Sequence, residues 1–148
     1  MKIITFTLAL LTSAVTLGQD FKLYEKAVFT FENDTLNYRI LKPLNYDSNK
    51  QYPVLLFLHG AGEPGDDNSS QLTHGGRLFL DTYNRKKYNS WVIFPQYSKD
   101  DRWANLVNDD WDLNFKDTIT KPNKSLNLVI RFMDEFIQKN KLIRKEFI

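Results

Sequence analysis

Residues 55–68 read LLFLHGAGEPGDDN, an apolar run that stops at a histidine and gives way to glycines, a proline and acids. Five of the six glycines of the chain lie between Gly60 and Gly76, so the residue type with the widest backbone freedom is concentrated in one place. The apolar run carries no charge and does not alternate with polar residues, which is typical of a strand buried in a parallel sheet. A buried strand followed by a glycine-rich turn predicts a functional site at that turn.

The segments on either side predict the other elements of an α/β fold. Residues 21–32 (FKLYEKAVFTFE) and 35–41 (TLNYRIL) partly alternate apolar with polar side chains, which predicts an antiparallel hairpin. The segment at 71–88 has the mixed polarity of a surface helix, and SWVIFPQ at 90–96 is a second uncharged run. This order of hairpin, strand, helix and strand predicts a hairpin that leads into a parallel sheet with flanking helices.

The last third of the chain predicts a long loop and one strong helix. The loop runs from about residue 97 to 124, and SLNLVIRFMDEFIQKNK at 125–141 follows with Ser125 as its predicted cap. The predicted apolar side of this helix comprises Leu126, Val129, Ile130, Met133, Phe136 and Ile137. Residues 143–148, IRKEFI, have the pattern of a lead into a further strand, so we expect the α/β domain to be truncated.

Composition excludes several classes of function. The chain has 148 residues, 42% of them hydrophobic, and a net charge of +2, which predicts a globular domain without the basic surface of a nucleic-acid partner. It contains no cysteine, which excludes disulfides, thiolate nucleophiles and cysteine-held metals. Acidic pairs such as Asp66 and Asp67, or Asp100 and Asp101, lack the ligand spacing of a calcium loop. We expect no metal site, and interpret these acids as solvated loop residues, some of them at helix starts.

The first residues predict export. Residues 1–18, MKIITFTLALLTSAVTLG, combine Lys2, an apolar stretch and small residues before Gln19, which is typical of a secretory signal peptide cut after Gly18. The alternative is a buried first strand or helix. The predicted mature domain, residues 19–148, would lie in the periplasm or the medium, and no later apolar run approaches the ~18 residues of a membrane span.

These patterns together resemble a known family. The hairpin, YPVLLFLHGAGEPGDDNSSQLTHGG at 52–76, WVIFPQYSKDDRW at 91–103 and the final helix resemble the amino-terminal half of secreted α/β-hydrolases. The resemblance covers roughly residues 38–148, and is to predicted peptidases and esterases related to poly-3-hydroxybutyrate depolymerases and feruloyl esterases. It implies a partial α/β-hydrolase domain and a serine hydrolase acting, without a cofactor, on carboxylic esters or peptides in small molecules or polymers.

The resemblance also implies roles for residues of the glycine-rich turn. In this family the turn after the third strand supplies a backbone N–H to the oxyanion hole. Here that donor would be Ala61 or Gly62, with His59 and Gly60 supporting the loop. His59 is expected to hold loops together and not to act as a general base, and His74 to be a structural or pocket-rim residue. The open alternative is an ordinary strand-to-helix turn.

Two further positions are candidate pocket residues. Gln96 ends the second buried run, at the sheet edge where open α/β proteins bind ligands. Trp103, in the following loop, offers an aromatic wall for an acyl, aryl or sugar group, and Trp111 is a weaker candidate for the same role. The alternatives are that Gln96 caps a turn and that the tryptophans cover the core.

The nucleophile motif of the family, G-x-S-x-G, does not occur in these residues. The predicted mature chain has six serines, and none of them has glycine both two residues before and two residues after it. They are Ser48, Ser69, Ser70, Ser90, Ser98 and Ser125. We therefore expect a fragment that lacks the catalytic triad and is inactive alone. Two alternatives stay open, namely a non-catalytic module that binds carbohydrate or a partner through its tryptophans and tyrosines, and the product of a disrupted gene.

Overall fold

A computed structural model describes residues 21–104, 123–140 and 142. The predicted signal peptide, Trp111 and the predicted strand lead at 143–148 lie outside the described residues. The described strands are β1 (Glu25–Phe31), β2 (Asp34–Leu41), β3 (Val54–Leu56) and β4 (Trp91–Gln96). The α-helices are α1 (Gly76–Leu80), α2 (Thr82–Lys87) and α3 (Lys124–Lys139), and short 3₁₀ helices lie at Phe21–Leu23 and Ser70–Leu72.

The four strands form one mixed sheet in the order β1-β2-β4-β3. β1 and β2 are the predicted antiparallel hairpin, with Phe29 opposite Leu36. β2 runs antiparallel to β4, and β3 runs parallel to β4 with Leu55 opposite Val92. The hairpin therefore leads into the start of a parallel sheet, which confirms the predicted partial α/β fold.

The sheet separates two apolar clusters, because successive side chains of a strand point to opposite faces. On one face Ile40 and Ile93 pack with Val129 and Phe132 of α3. On the other face Leu41, Val92 and Phe94 pack with residues of the first 3₁₀ helix and of α1. β4 is buried at every position, since strands flank it on both sides and helices cover both its faces.

β3 is less buried than its uncharged sequence predicts. Val54, Leu55 and Leu56 are all half-buried, and Leu58 just beyond the strand is 38% exposed. In the described part of the chain β3 pairs with β4 alone, so its other edge has no strand beside it. This edge position explains why an apolar run of parallel-sheet type stays partly open.

The prediction of a single surface helix at 71–88 is wrong. The segment forms a 3₁₀ turn, α1 and α2 in succession. Gly75 precedes α1 with φ +90°, and Asp81 leaves the helical region with ψ 130°. The Asp81 carboxylate accepts a hydrogen bond of 2.9 Å from the Asn84 N–H and so caps α2. An aspartate that caps in this way is better satisfied at a helix start than inside one helix.

α3 begins one residue earlier than predicted, and Ser125 is not its cap. The Asn123 side chain accepts a hydrogen bond of 3.0 Å from the Leu126 N–H. The Ser125 N–H and hydroxyl instead donate to Oδ2 of Asp101. Asp101 is thus one of the loop acids that lie at a helix start, where a carboxylate is favoured by the helix dipole.

The buried side of α3 also differs from the predicted one. Leu128 and Phe132 are core residues that the prediction omitted, whereas the predicted Ile130 is 45% exposed. Val129 is buried as predicted. Spacing alone did not settle the orientation of the helix, because apolar residues occur around much of its circumference, and contact with Phe29 and Tyr38 on the sheet selects the Phe132 side.

Among the described residues, none of the helices is both long enough and apolar enough to cross a membrane.

Candidate active site

The glycine-rich turn at residues 59–62 follows the carboxyl end of β3. The Phe57 N–H still donates to the Ile93 carbonyl at 2.8 Å, after which the chain leaves the sheet. His59 is buried, while Gly60, Ala61 and Gly62 are exposed. The turn therefore presents its backbone to solvent at the sheet edge where ligands of open α/β proteins bind.

The absence of side chains at Gly60 and Gly62 has different consequences. A Cβ atom on Gly60 would lie 3.2 Å from Oε2 of Glu63, whereas one on Gly62 would have no neighbour within 4 Å. Neither glycine has a positive φ. Glycine at position 62 is thus required neither by packing nor by backbone conformation, and its effect is to leave the space beside the turn open.

Two backbone N–H groups of the turn, those of Ala61 and Gly62, are available to bind a ligand. The Glu63 N–H donates to the Gly60 carbonyl at 3.4 Å and closes the turn. Within residues 21–104, 123–140 and 142, neither the Ala61 nor the Gly62 N–H has a hydrogen-bond partner. Two adjacent, exposed N–H donors on a closed turn can bind one oxygen atom that carries negative charge.

His59 holds this turn against the end of β4. Its Nδ1–H donates to the Gly60 carbonyl at 2.8 Å, and its Nε2 accepts from the Tyr97 N–H at 3.4 Å. The imidazole stacks on the Tyr97 ring with centroids 4.4 Å apart. Burial lowers the pKa of His59, although the Gly60 carbonyl and the Glu63 carboxylate act in the opposite direction. Both ring nitrogens are engaged with the backbone, which is the arrangement of a loop-holding residue.

We expect His59 to be a neutral Nδ1–H tautomer at pH 7. A lowered folded-state pKa means that the unfolded chain takes up this proton first, as the pH falls through about 6.5. The stability that neutral His59 contributes is therefore complete above about pH 6.5 and declines as the pH falls from there to the folded-state pKa. Long-range ¹H–¹⁵N correlation spectra from pH 8 to 5 measure both properties. An Nε2–H tautomer, or protonation at or above pH 6.5, would contradict this arrangement.

Trp103 lies beside the same turn. Its indole N–H donates to the His59 carbonyl at 2.9 Å, and its ring stands perpendicular to Tyr97 at 4.8 Å between centroids. The side chain is half-buried and also packs against the α3-side core. The structure therefore brings Trp103 to the turn, where its side chain packs against the core and stays partly exposed.

Gln96 lies at the strand end, as predicted, but its amide points beneath the loop. It is 2% exposed. Its Oε1 accepts from the Asn68 N–H at 2.8 Å, and its Nε2 donates to the Glu63 carbonyl at 3.2 Å and to Oδ1 of Asp67 at 2.8 Å. These three bonds occupy the amide, so Gln96 offers no free polar atom to a substrate. Its geometry fits the alternative interpretation, in which Gln96 caps a turn.

Asn68 is the centre of a buried polar network that no local sequence pattern indicates. It adopts φ +48°, a conformation that asparagine tolerates better than most residues. Its Nδ2 donates to the Ala27 carbonyl, its Oδ1 accepts from Gln71, and its carbonyl accepts from Nε of Arg39 at 2.6 Å. The loop after the turn is thereby attached to the hairpin and to the end of β4.

Asp67 belongs to the same network. Partial burial by itself would raise the pKa of Asp67, but hydrogen bonds from Ser70, Gln96 and Ser69 outweigh it and hold the pKa well below its ordinary value. The carboxylate stays ionised at neutral pH and accepts from the Ser69 and Ser70 N–H groups at 2.9 and 3.0 Å. Asp67 is exposed, as predicted of a loop acid, and in addition it accepts hydrogen bonds that shape the loop.

Glu63 and His74 form a pair at the rim of the turn. Oε1 of Glu63 lies 3.3 Å from Nε2 of His74, whose side chain is 74% exposed. Oε2 of Glu63 is buried under Gly60 and has no hydrogen-bond partner among the described residues. His74 is therefore an exposed residue that contacts the turn through Glu63, and its role as a structural or pocket-rim residue stays a prediction. Within the described ranges, no three histidine, aspartate or glutamate side chains are grouped so as to hold a metal ion.

Comparison with known proteins supports the fold assignment. No family model matches the sequence, and no curated protein matches it. The chain is similar to a solved thermostable esterase, with a TM-score of 0.71 and 22% identity over 86% of this chain and 33% of the esterase. It is also similar, with a TM-score of 0.45 and 19% identity, to the CE1 ferulic acid esterase AmCE1/Fae1A of Anaeromyces mucronatus, over 78% of this chain and 41% of that one. The chain thus spans about a third of the thermostable esterase, and the described residues form part of an α/β-hydrolase fold.

Proposed function

We propose that this chain is the amino-terminal part of an exported serine hydrolase that acts on carboxylic esters, or on peptides, and that its 59–62 turn supplies the oxyanion hole. The observation that carries the proposal is the pair of unpartnered N–H groups of the exposed residues Ala61 and Gly62 after the carboxyl end of β3. The similarity of fold to a thermostable esterase supports the same interpretation.

The chemistry follows from the position of these donors. When a nucleophile attacks an ester carbonyl, negative charge develops on the carbonyl oxygen. Donors that are already aligned stabilise that charge more than they stabilise the neutral ester. The network of His59, Gln96 and Asn68 holds the turn in place before substrate arrives. Removing one such donor in other hydrolases lowers kcat by about 10²–10³.

The described serines are not placed as activated nucleophiles. In the described residues no serine hydroxyl donates to either histidine. Ser70 and Ser125 donate to the aspartates Asp67 and Asp101, and Ser90 to the Tyr88 carbonyl. A carboxylate in contact with a serine lacks the imidazole that would take up the proton of the hydroxyl. We therefore propose that the nucleophile, acid and base are contributed by a part of the protein beyond these residues, and that these residues alone are inactive.

The test compares two proteins, the 148-residue chain and the complete product of the gene that contains it. Each is assayed with p-nitrophenyl acetate and with a fluorophosphonate that labels activated serines. We expect hydrolysis and labelling from the complete product and neither from the 148-residue chain. Labelling of the short chain would refute the division of the site. A complete product that neither hydrolyses p-nitrophenyl acetate nor becomes labelled would refute the proposed serine hydrolase.

Proline substitutions in the complete product locate the donor. Ala61→Pro and Gly62→Pro each delete one backbone N–H, and the one that removes the donor should lower kcat by about 10²–10³ with little change in KM. The urea midpoint of each variant, compared with that of Gly62→Ala, separates loss of the donor from loss of the turn. Full kcat in both proline variants would exclude an oxyanion role for the turn.

A further inference from the structure

An open groove lies between the hairpin and the carboxyl half of α3. Its volume is about 570 Å³, and no residue of the 59–62 turn lines it. Phe29 and Tyr38 of the sheet and Phe132 and Phe136 of α3 give it an aromatic lining. Ring centroids are 4.4 Å apart between Tyr38 and Phe132 and 5.4 Å between Phe29 and Phe132, so the sheet and helix rings form one continuous surface.

The rim of the groove carries polar side chains that are not engaged elsewhere. Glu135, Gln138 and Lys139 line it from α3 and are exposed. Across the described residues, these three side chains have no hydrogen-bond or ion-pair partner, and the Tyr38 hydroxyl has none either. The groove therefore combines an apolar floor with a free carboxylate, amide, ammonium and phenol, which is the composition of a ligand site more than that of a packing defect.

The charges on the rim select the class of ligand. Glu135 and Lys139 contribute one negative and one positive charge, so an anionic ligand meets repulsion from the first and a cationic ligand from the second. A neutral ligand with several hydroxyls can donate to Glu135 and accept from Lys139 at the same time. A pyranose ring adds an apolar C–H face that can lie against aromatic side chains.

We propose that this groove binds a pyranose unit of a neutral polysaccharide. Phe29 and Tyr38 provide the surface on which the sugar lies, and Glu135 accepts a hydrogen bond from a sugar hydroxyl. Lys139 and Gln138 donate to others. The site does not depend on the proposed hydrolase activity, because it shares no residue with the turn and needs no catalytic group.

The test adds cellohexaose, xylohexaose or mannohexaose to the 148-residue chain. Calorimetry and ¹H–¹⁵N spectra of labelled protein measure the binding. We expect saturable binding of at least one hexasaccharide, with shifts at Tyr38 and along residues 132–139 and none at 59–62. Glu135→Ala should weaken that binding about tenfold, as expected for a lost hydrogen bond to a charged group. Asp134→Ala, at an exposed position of the same helix that does not line the groove, should leave it unchanged.

Tyr38→Phe is the second variant and should weaken binding a few-fold, since it removes one hydroxyl and keeps the ring. It also replaces Glu135→Ala as the test if that variant does not fold. No shift with any hexasaccharide at millimolar concentration would overturn the proposal. Undiminished affinity in both variants would also overturn it. So would shifts at the groove that follow protein concentration and not sugar concentration, which would indicate a second copy of the chain. Ester turnover has no bearing on these outcomes, so the two proposals can fail separately.

Discussion

Replacing Gly75 by alanine should lower the free energy of unfolding by about 2–5 kcal/mol. Gly75 has φ +90°, which costs an alanine roughly 1–2 kcal/mol. A Cβ atom at this position would also lie 2.7 and 2.9 Å from two ring atoms of Phe57, and such overpacking typically adds about 1–3 kcal/mol. Phe57 cannot move freely, because its ring packs against Phe94 at 4.8 Å and Phe79 at 6.2 Å. Urea unfolding followed by tryptophan fluorescence measures the loss.

Gly62→Ala is the matched control for this prediction. It adds the same methyl group to the same glycine-rich stretch, but the new Cβ has no neighbour within 4 Å and the φ angle is not positive. We expect a change within about 0.5 kcal/mol, and stabilisation is favoured because alanine reduces the freedom of the unfolded chain. Equal losses in the two variants would show that the Phe57 contact and the backbone conformation at Gly75 are not what requires glycine there.

Gln96→Glu should destabilise the protein by about 3 kcal/mol or more at pH 7. The substitution keeps the shape of the side chain but removes the Nε2 donor that bonds to Asp67 and to the Glu63 carbonyl. An unpaired carboxylate would then be buried next to the ionised Asp67, at a site that is 2% exposed in the wild type. The accompanying loss of the Glu63 and Asp67 attachments should also loosen the loop that follows the turn.

The pH dependence of this variant provides a second test. Burial and the Asp67 charge should raise the folded-state pKa of the introduced carboxyl above its unfolded value, so protonation favours the folded state. The free energy of unfolding of the variant should therefore fall furthest below that of the wild type at neutral pH. This difference should narrow as the pH falls below the folded-state pKa of the introduced carboxyl. Gln51→Glu, at an exposed loop position, is the control and should change stability by less than about 0.5 kcal/mol. A deficit that is constant from pH 8 to 5 would contradict the buried-charge explanation.

The proposed site was only partly predictable from sequence. The turn and its neighbour Trp103 could be identified because an apolar run, glycines and a tryptophan are local features. The partners of Gln96 could not be identified, because Asn68, Asp67 and Glu63 are about thirty residues away in sequence and reach it only through the β3–β4 crossover. The acids of GDDN look solvated in the sequence for the same reason, although Asp67 accepts several hydrogen bonds.

Local patterns by themselves determined the hairpin, the uncharged strand β4 and the existence of α3, since each depends on periodicity within a short stretch. Tertiary structure alone decided which side of α3 is buried and that Ser125, which bonds to Asp101, does not cap the helix. It also decided why glycine is needed at position 75, where Phe57 lies against the backbone. These features depend on contacts between residues distant in sequence, and the free energy of such contacts is set by which surfaces the fold brings together.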